Sequence, residues 1–313
     1  MAEWLALLGG QRRYSPHTLA GYRRDLLLLC STIGALPLER VAEGHVRQAV
    51  ARLHAAGHHP RSLARMLSAW RGFYAWWAPR AGLAANPAES VKAPKAARSL
   101  PKALSVDQAQ SLLDRSGLPP PTNAIEWRDQ AMFEVLYSSG LRLAELVSLD
   151  LRHTRTQGYQ SRSWIDLEPG EAIVLGKGGK SRSVPLGRKA IDALRQWLRH
   201  RPELAGATPK DDDAAAALFL GAKGSRISPR IVQKQLAALA IRAGLPVHVH
   251  PHSLRHSFAS HLLQSAQDLR AVQELLGHAN ISTTQIYTRL DFQHLAKVYD
   301  QAHPRAGRKK TPA

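Results

Sequence analysis

Six side chains of this sequence are of the types needed for chemistry on a phosphodiester. They are Arg142, Lys177, His252, Arg255, His278 and Tyr287. Attack on phosphorus builds negative charge on the non-bridging oxygens, and an arginine can meet two such oxygens while staying cationic. A tyrosine has an ordinary pKa of about 10, and nearby cations favour its nucleophilic phenolate form. A lysine can protonate the departing sugar oxygen and a histidine can share a proton transfer, so this set needs no metal.

Helix signals predict that His252 and Arg255 lie on one face of a helix. Pro251 can occupy the first turn of a helix, and residues three positions apart are neighbours on a helix surface. The apolar face of the same helix is predicted to consist of Leu254, Phe258 and Leu262. His252 and Arg255 fall on a different face, where they can meet a substrate.

The remaining candidates follow turns or helix ends, where side chains can face a site. Arg142 begins a helix after a break at Gly140, and Lys177 lies between two glycines at the tip of a predicted hairpin. His278 comes directly after a glycine that ends a helix, and Tyr287 lies on the next helix. We therefore expect several separate elements to bring these side chains together.

The overall charge indicates a polyanionic partner. The 313 residues include 43 Lys and Arg against 24 Asp and Glu, which gives a formal net charge of +19 at pH 7. Such an excess is typical of nucleic-acid-binding proteins, and less so of proteins that bind anionic membrane surfaces. The hydrophobic fraction of 44% is enough for packed cores, so wholesale disorder is not expected.

Several features predict a soluble, cytosolic protein. The single cysteine, Cys30, can form no internal disulfide and no cysteine-built zinc site. No apolar stretch reaches the roughly 20 residues needed to span a bilayer, and the N-terminus lacks the charge order of a secretory signal. We expect no membrane partner, no metal and no cofactor.

Residues 1–85 are predicted to form a basic helical bundle, joined by a linker at 86–103 to the rest of the chain. Ser15 caps the first predicted helix, the second covers Glu43–Ala55, and Pro60 begins the third. The third carries an aromatic stripe at helical spacing, which we expect to pack in a core and not to stack on bases. The stripe consists of Trp70, Phe73, Tyr74 and Trp77. The linker is interrupted by prolines and is basic.

Residues 104–313 are predicted to form a second domain, mostly helical with a small β-sheet. An amphipathic helix covers Arg128–Ser138, and helices resume at Arg188. The stretch 202–217, rich in Asp and Ala, is predicted to be a solvated loop that runs into a helix or strand near Phe219. The predicted strands are Trp164–Leu167, Ala172–Leu175 and Ser183–Leu186. The predicted fold class is therefore mainly α with a small sheet in the second domain.

Four motifs, in order along the chain, resemble the signature of the tyrosine recombinases, also called the phage integrase family. They are GLRLAEL (140–146), GKGGK (176–180), HPHSLRHSFASHLL (250–263) and ELLGHANISTTQIYT (274–288). Bacterial chromosome dimers are resolved by two paired recombinases of this family, and the sequence resembles one of them more closely than the other. This closer resemblance rests on segments 73–77, 86–102 and 290–306. The resemblance covers nearly the whole chain.

The resemblance implies a role for the residues of the first and third motifs. Arg142 and Arg255 are similar to the two arginines that clamp the phosphate. His252 is similar to the histidine of the family's H-x-x-R pair. Glu145 matches a carboxylate that orients the cluster of catalytic side chains.

The resemblance implies that the other two motifs hold a proton donor, a phosphate contact and the nucleophile. Lys177 is similar to the general acid on the family's hairpin, and Lys180 is the alternative if the hairpin aligns differently. His278 matches a third phosphate-contacting position. Tyr287 matches the nucleophile, which forms a 3′-phosphotyrosyl intermediate with DNA.

The resemblance also implies a fold, a reaction and partners. An N-terminal SAM-like core-binding domain and the catalytic domain would form a clamp around duplex DNA. Two DNA sites would be cut and rejoined through a Holliday junction, without ATP. The implied partners are a dif-like DNA site and a related second recombinase, together forming a heterotetramer that resolves chromosome dimers at cell division. Control by a septal DNA translocase stays open.

One segment departs from the family's pattern. Residues 151–163, LRHTRTQGYQSRS, make the connection into the first predicted strand longer by roughly a dozen residues, with a loop-like composition. The segment carries Arg152, Arg155 and Arg162, so contact with DNA or with a neighbouring subunit is an open alternative.

Other functions remain as alternatives at this point. A type IB topoisomerase uses similar side chains, a non-catalytic DNA-binding module could share the fold, and an integron or transposon integrase is a variant within the family. A metal site built from the histidines around position 252 is disfavoured, because Pro251 breaks the run and the helix offers no partnering glutamate. His256 and His261 are predicted to be structural.

Overall fold

The computed structural model of the chain describes residues 1–12, 14–95, 103–176, 181–206, 209–245, 249–265, 299 and 302–306. The chain divides into two compact units, Met1–Leu100 and Pro101–Ala313. The domain and linker boundaries inferred from the sequence stay predictions. Among the described helices, none combines the length and the apolar character that crossing a membrane requires.

The first unit is helical, as predicted. Its helices are α1 (Ala2–Gly10), α2 (Pro16–Ile33), α3 (Glu43–Ala55) and α4 (Pro60–Trp77). The Ser15 hydroxyl accepts a hydrogen bond from the Thr18 N–H at 3.2 Å, which confirms the predicted cap of α2. Helix α1 was not predicted as an element of its own. It buries Trp4 and Leu8 against the other helices.

The aromatic stripe of α4 forms the core of the first unit, which confirms the packing interpretation. Trp70, Phe73 and Tyr74 are almost completely buried, whereas Trp77 is half-buried. The Trp70 indole N–H donates to the Asp25 carbonyl at 2.8 Å, so its one polar atom is satisfied inside the core.

The start of the segment predicted as a linker packs on the first unit. The Arg71 guanidinium donates to the Ala88 carbonyl at 3.0 Å and also to the Val91 carbonyl. Ala88 and Val91 are buried in the same cluster as the aromatic stripe of α4. Apolar side chains of this short stretch therefore belong to the helical unit, although prolines and basic residues surround them.

The second unit combines helices with one small sheet, which confirms the predicted fold class. Its helices are α5 (Val106–Leu113), α6 (Ala124–Ser139), α7 (Leu143–Val147), α8 (Arg188–Ala205), α9 (Asp212–Ala216), α10 (Pro229–Arg242) and α11 (Pro251–Ser265). Its strands are β1 (Leu149–Asp150), β2 (Ser163–Asp166), β3 (Glu171–Leu175) and β4 (Ser181–Pro185). The strands lie in chain order. β1 pairs with β2 in parallel, and the other neighbours are antiparallel.

The prediction of a solvated loop over 202–217 was wrong for most of its length. Helix α8 continues through Pro202 to Ala205, and Asp211 caps the short helix α9 with a hydrogen bond from the Ala214 N–H at 2.7 Å. The Arg201 guanidinium donates to carbonyls at the end of α9, at 3.1 Å to Ala214. These long-range bonds hold the segment, and composition alone does not reveal them.

Residues near the C-terminus pack on α6 of the same chain. The Tyr299 hydroxyl lies 2.8 Å from the Ser138 hydroxyl, and the Arg305 guanidinium pairs with the buried carboxylate of Glu134. Burial raises the pKa of Glu134 to about 7, and the charge of Arg305 opposes this rise. These contacts therefore fix helix α6, which leads directly to Gly140.

Candidate active site

The chain turns sharply at Gly140 to place Arg142 at the start of α7. Gly140 ends α6 with a φ of +58°, a left-handed conformation that side chains other than glycine rarely adopt. A Cβ at this position would lie 2.3 Å from the Phe258 ring. Both conditions require glycine, so the break predicted at Gly140 has a steric cause.

Glu145 holds Arg142 from inside the same turn. Its carboxylate accepts the Arg142 backbone N–H at 2.8 Å and the Arg142 guanidinium at 2.9 Å. The Arg142 side chain is 42% exposed, whereas that of Glu145 is 7% exposed. One end of the guanidinium is thus fixed by the protein while the residue keeps access to solvent.

Arg182 on β4 makes the strongest contact with the same carboxylate. Its guanidinium donates to both Glu145 oxygens, each at 3.0 Å, in a buried two-point ion pair. Burial acts to raise the pKa of Glu145, but the hydrogen bonds and charge of Arg182, aided by Arg142, bring it below its usual value. Glu145 therefore remains ionised and joins β4 to α7.

Sequence reasoning missed Arg182, although the strand pattern contained a signal. Residues two apart on a strand share a face, and Arg182 shares its face with the buried Val184. An arginine on the buried face of a strand requires an anionic partner. The partner is 37 positions away in the chain, so no local spacing could identify it.

Arg255 reaches the same place from α11. Its guanidinium donates to the Gly140 carbonyl, and the residue is 8% exposed. Burial, aided by the positive charge of Arg142, lowers the pKa of Arg255 to about 10, and the charge of Glu145 opposes this shift. Arg255 is therefore still protonated at neutral pH, in a pocket that already contains other cations.

Helix α11 has the face predicted from its spacing. Leu254, Phe258 and Leu262 are fully buried, which confirms the apolar face. His252 is exposed on the other side, and its ring stacks on that of His250 with centroids 6.2 Å apart. His252 and Arg255 thus occupy one helix, with the arginine inside and the histidine at the surface.

The two other histidines of α11 differ. His261 is buried between the Tyr137 hydroxyl and the Leu104 carbonyl, at 2.9 Å from each, and burial lowers its pKa. This confirms the structural interpretation of His261. His256 is exposed. Its predicted structural role assumed a buried histidine, so that role is not confirmed.

The rest of the predicted site lies outside the described residues. This applies to Lys177, Lys180, His278 and Tyr287. The strands on either side of the predicted hairpin are described, and Leu175 of β3 pairs with Ser181 of β4. Among the described residues, no three or more His, Cys, Asp or Glu side chains are grouped to hold a metal ion.

The described half of the site is suited to bind an anion. The guanidinium groups of Arg142 and Arg182 bind the buried Glu145 carboxylate, and that of Arg255 binds the nearby Gly140 carbonyl. Glu145 and the Gly140 carbonyl fix them, so the arginines need little rearrangement when a phosphate arrives. Such an arrangement can stabilise charge that develops on phosphate oxygens.

Comparisons with known proteins agree with this geometry. Residues 102–294 match the phage integrase family, and residues 1–81 match the phage integrase N-terminal SAM-like domain. The chain is 53% identical to tyrosine recombinase XerC 1 of Ralstonia nicotianae, with 99% of this chain and 94% of that protein covered. It is 52% identical to tyrosine recombinase XerC of Ralstonia pickettii, with the same coverage.

A solved structure supports the fold. The XerH site-specific recombinase, bound to a palindromic difH substrate after cleavage, has a TM-score of 0.65 at 22% identity. The match covers 92% of this chain and 81% of that chain.

Proposed function

Because this chain belongs to the phage integrase family of tyrosine recombinases, we propose a residue-level account of how it cuts and rejoins DNA. Arg142 and Arg255 hold the scissile phosphate, and the Tyr287 phenolate attacks the phosphorus. A bond forms between the tyrosine oxygen and phosphorus as the bond to the 5′ oxygen breaks. The products are a 3′-phosphotyrosyl link and a free 5′-hydroxyl.

The other candidate residues transfer protons and contact the phosphate. Lys177 donates a proton to the departing 5′ oxygen, and His252 and His278 contact the phosphate or share the tyrosine proton. The phosphotyrosyl bond conserves the energy of the phosphodiester, so a 5′-hydroxyl of the partner duplex can reverse the step without ATP. The arginines supply the positive charge that a divalent ion supplies in other enzymes.

One observation supports these roles most directly. The Arg182–Glu145–Arg142 chain of ion pairs, with Arg255 on the nearby Gly140 carbonyl, brings together three guanidinium groups that could hold a phosphate.

Trapping of the covalent intermediate tests the reaction. A nicked duplex lets the short fragment that carries the 5′-hydroxyl diffuse away after cleavage, so the protein stays attached to DNA. We expect the adduct to form in EDTA and without ATP, and to map to the peptide that contains Tyr287. An adduct that requires a divalent ion, or that maps elsewhere, contradicts the proposal.

Arg182 is proposed as a positioning residue, because it reaches the phosphate only through Glu145. We expect Arg182→Met to lower single-turnover adduct formation by about 10- to 100-fold. Without Arg182 the pKa of Glu145 rises, so the acid limb of the pH–rate profile should move to higher pH. Arg182→Lys should restore part of the rate. A slower rate with an unmoved acid limb would mean that Arg182 only stabilises the fold.

The biological role is proposed from the relatives named XerC. We propose that the chain acts in the cytoplasm with a XerD-like recombinase, as a heterotetramer on a dif-like site, and resolves chromosome dimers at cell division. A septal DNA translocase as the controlling partner belongs to the same proposal. Footprinting of both host recombinases on the chromosomal terminus site tests it. Independent binding of the two proteins, without mutual stabilisation, would contradict it.

A further inference from the structure

An exposed basic segment, residues 151–162, takes no part in the reaction described above. It contains Arg152, Arg155 and Arg162 and no acidic residue. All three arginine side chains are exposed, and none forms an ion pair with a residue that the structure describes. Single exposed arginines are common on protein surfaces, so the shape and position of the segment decide what it can bind.

The segment is a folded hairpin. The Ser161 N–H donates to the Thr154 carbonyl at 2.8 Å, and the Ser161 hydroxyl accepts from the Thr154 N–H at 2.8 Å. The same hydroxyl lies within 3.3 Å of the Arg152 carbonyl and donates to it. Ser161 thus closes the hairpin at its base, next to Arg152 and Arg162. Arg155 lies further towards the tip.

The hairpin is anchored to the body of the second unit by a partly buried polar network. The Tyr159 hydroxyl donates to the Asp150 carboxylate at 2.9 Å and accepts from the Arg226 guanidinium at 2.8 Å. Burial and the bond to Asp150 raise the pKa of Tyr159 to about 12. Arg226 also pairs with Asp150 at 2.7 Å and with Asp213 at 2.8 Å. Binding of a partner to the hairpin therefore costs little conformational entropy, because the hairpin is already ordered.

The base of the hairpin lies at the end of the sheet where Arg182 contacts the candidate site. Ser163 follows Arg162 and begins β2, and its hydroxyl accepts the Leu175 N–H at 3.1 Å. Val174, next to Leu175 on β3, pairs with Arg182, whose guanidinium binds Glu145. Arg162 is thus at this end of the sheet, which is its catalytic side.

The tip of the hairpin lies in acidic surroundings. The Thr156 hydroxyl donates to the Asp212 carboxylate at 3.0 Å, and Asp211 and Asp213 flank that residue in the chain. These carboxylates repel phosphate, so the charge of Arg155 beside Thr156 is offset. The positive charge that remains effective is at the base, on Arg152 and Arg162.

We propose that Arg152 and Arg162 bind a DNA backbone phosphate that flanks the cleaved one. The proposal rests on DNA being the substrate and adds a contact to those of the catalytic residues. Arginine suits phosphate, and the hairpin base lies at the end of the sheet that also holds Arg182. An acidic surface of a neighbouring subunit is the competing partner, and the position of the base on the catalytic side favours DNA.

The salt dependence of DNA binding tests the contact. The probe is a labelled duplex of mixed sequence and about 15 bp, roughly one and a half turns, which is short enough for one protomer. For the double variant Arg152→Gln/Arg162→Gln, we expect the slope of log Kd against log salt to fall by about 1, because the two arginines together neutralise one phosphate. The matched control Arg155→Gln removes an exposed arginine of the same hairpin and should leave the slope nearly unchanged. Thermal melting of each variant should match the wild type, because all three side chains are exposed.

Three outcomes overturn the contact. The double variant can keep the wild-type slope, or Arg155→Gln can reduce the slope as much as the double variant does. Binding to the short duplex can also stay intact while cooperative binding to a longer duplex with room for two protomers is lost, which identifies a neighbouring subunit as the partner. The covalent-adduct assay with the wild-type protein tests the proposed function separately. A failure of the proposed function is therefore distinguishable from the absence of this phosphate contact.

Discussion

Tyr287→Phe is expected to abolish the covalent protein–DNA adduct while leaving DNA affinity within about fivefold of the wild type. The substitution removes only the nucleophilic oxygen, and loss of a nucleophile costs about 10⁶ in rate in enzymes whose catalytic residues act as a unit. The measurement is single-turnover adduct formation on the nicked duplex, with affinity measured in parallel.

Other tyrosines of the chain are poor candidates for this role. Burial raises the pKa of Tyr137 and of Tyr159 to about 12, and it raises the pKa of Tyr74 as well. A nucleophile needs the opposite shift. Tyr22→Phe, in the first unit, is the matched control and should form the adduct at the wild-type rate. An adduct that persists in Tyr287→Phe would assign the attack to another residue.

Arg255→Gln is expected to lower single-turnover cleavage by about 10³-fold, with DNA affinity reduced less than tenfold. At neutral pH the Arg255 guanidinium is charged, because its pKa of about 10 is well above the pH of the assay. Glutamine keeps an N–H donor for the Gly140 carbonyl but lacks the positive charge for the phosphate. The loss should therefore appear in the chemical step more than in binding.

Two further variants separate charge from geometry. Arg255→Lys retains a charge but lacks the planar fork of N–H groups that can hold the Gly140 carbonyl and a phosphate oxygen in fixed directions, so we expect a loss of about 10²-fold. Arg199→Gln removes an exposed arginine of α8 and should have no effect on cleavage. Equal loss of affinity and rate in Arg255→Gln would mean that Arg255 contributes only to DNA binding.

Local signals were enough to predict most of the helices and the family of the chain. Ser15 and Gly34 mark the ends of α2, and Pro60 begins α4, because caps and prolines act on their own neighbours in the chain. Gly140 and the spacing around Arg255 likewise predicted how α6 and α11 serve the site. The strand positions were correct to within a few residues for β2, β3 and β4.

Long-range contacts account for what the sequence did not reveal. Strand β1 has two residues, and its pairing with β2, at a separation of 14 positions, has no periodic signal. Arg182 and Glu145 are joined only by the fold. The hairpin at 151–162 has the composition of a loop. It is ordered through Tyr159, whose hydroxyl accepts a hydrogen bond from Arg226, and Arg226 is distant in the chain.

The fixed ion pairs of the site have a consequence for which species it binds best. Arg142, Arg182 and Arg255 contribute three positive charges and Glu145 one negative charge, so the described part of the site carries a net charge of two. A phosphodiester has one negative charge, but the five-coordinate phosphorus formed by phenolate attack has two. The charge of these described side chains therefore equals in magnitude that of the five-coordinate species and exceeds that of intact DNA, which favours the transition state. Glu145 sets this balance, since without it the three arginines would carry a charge of three.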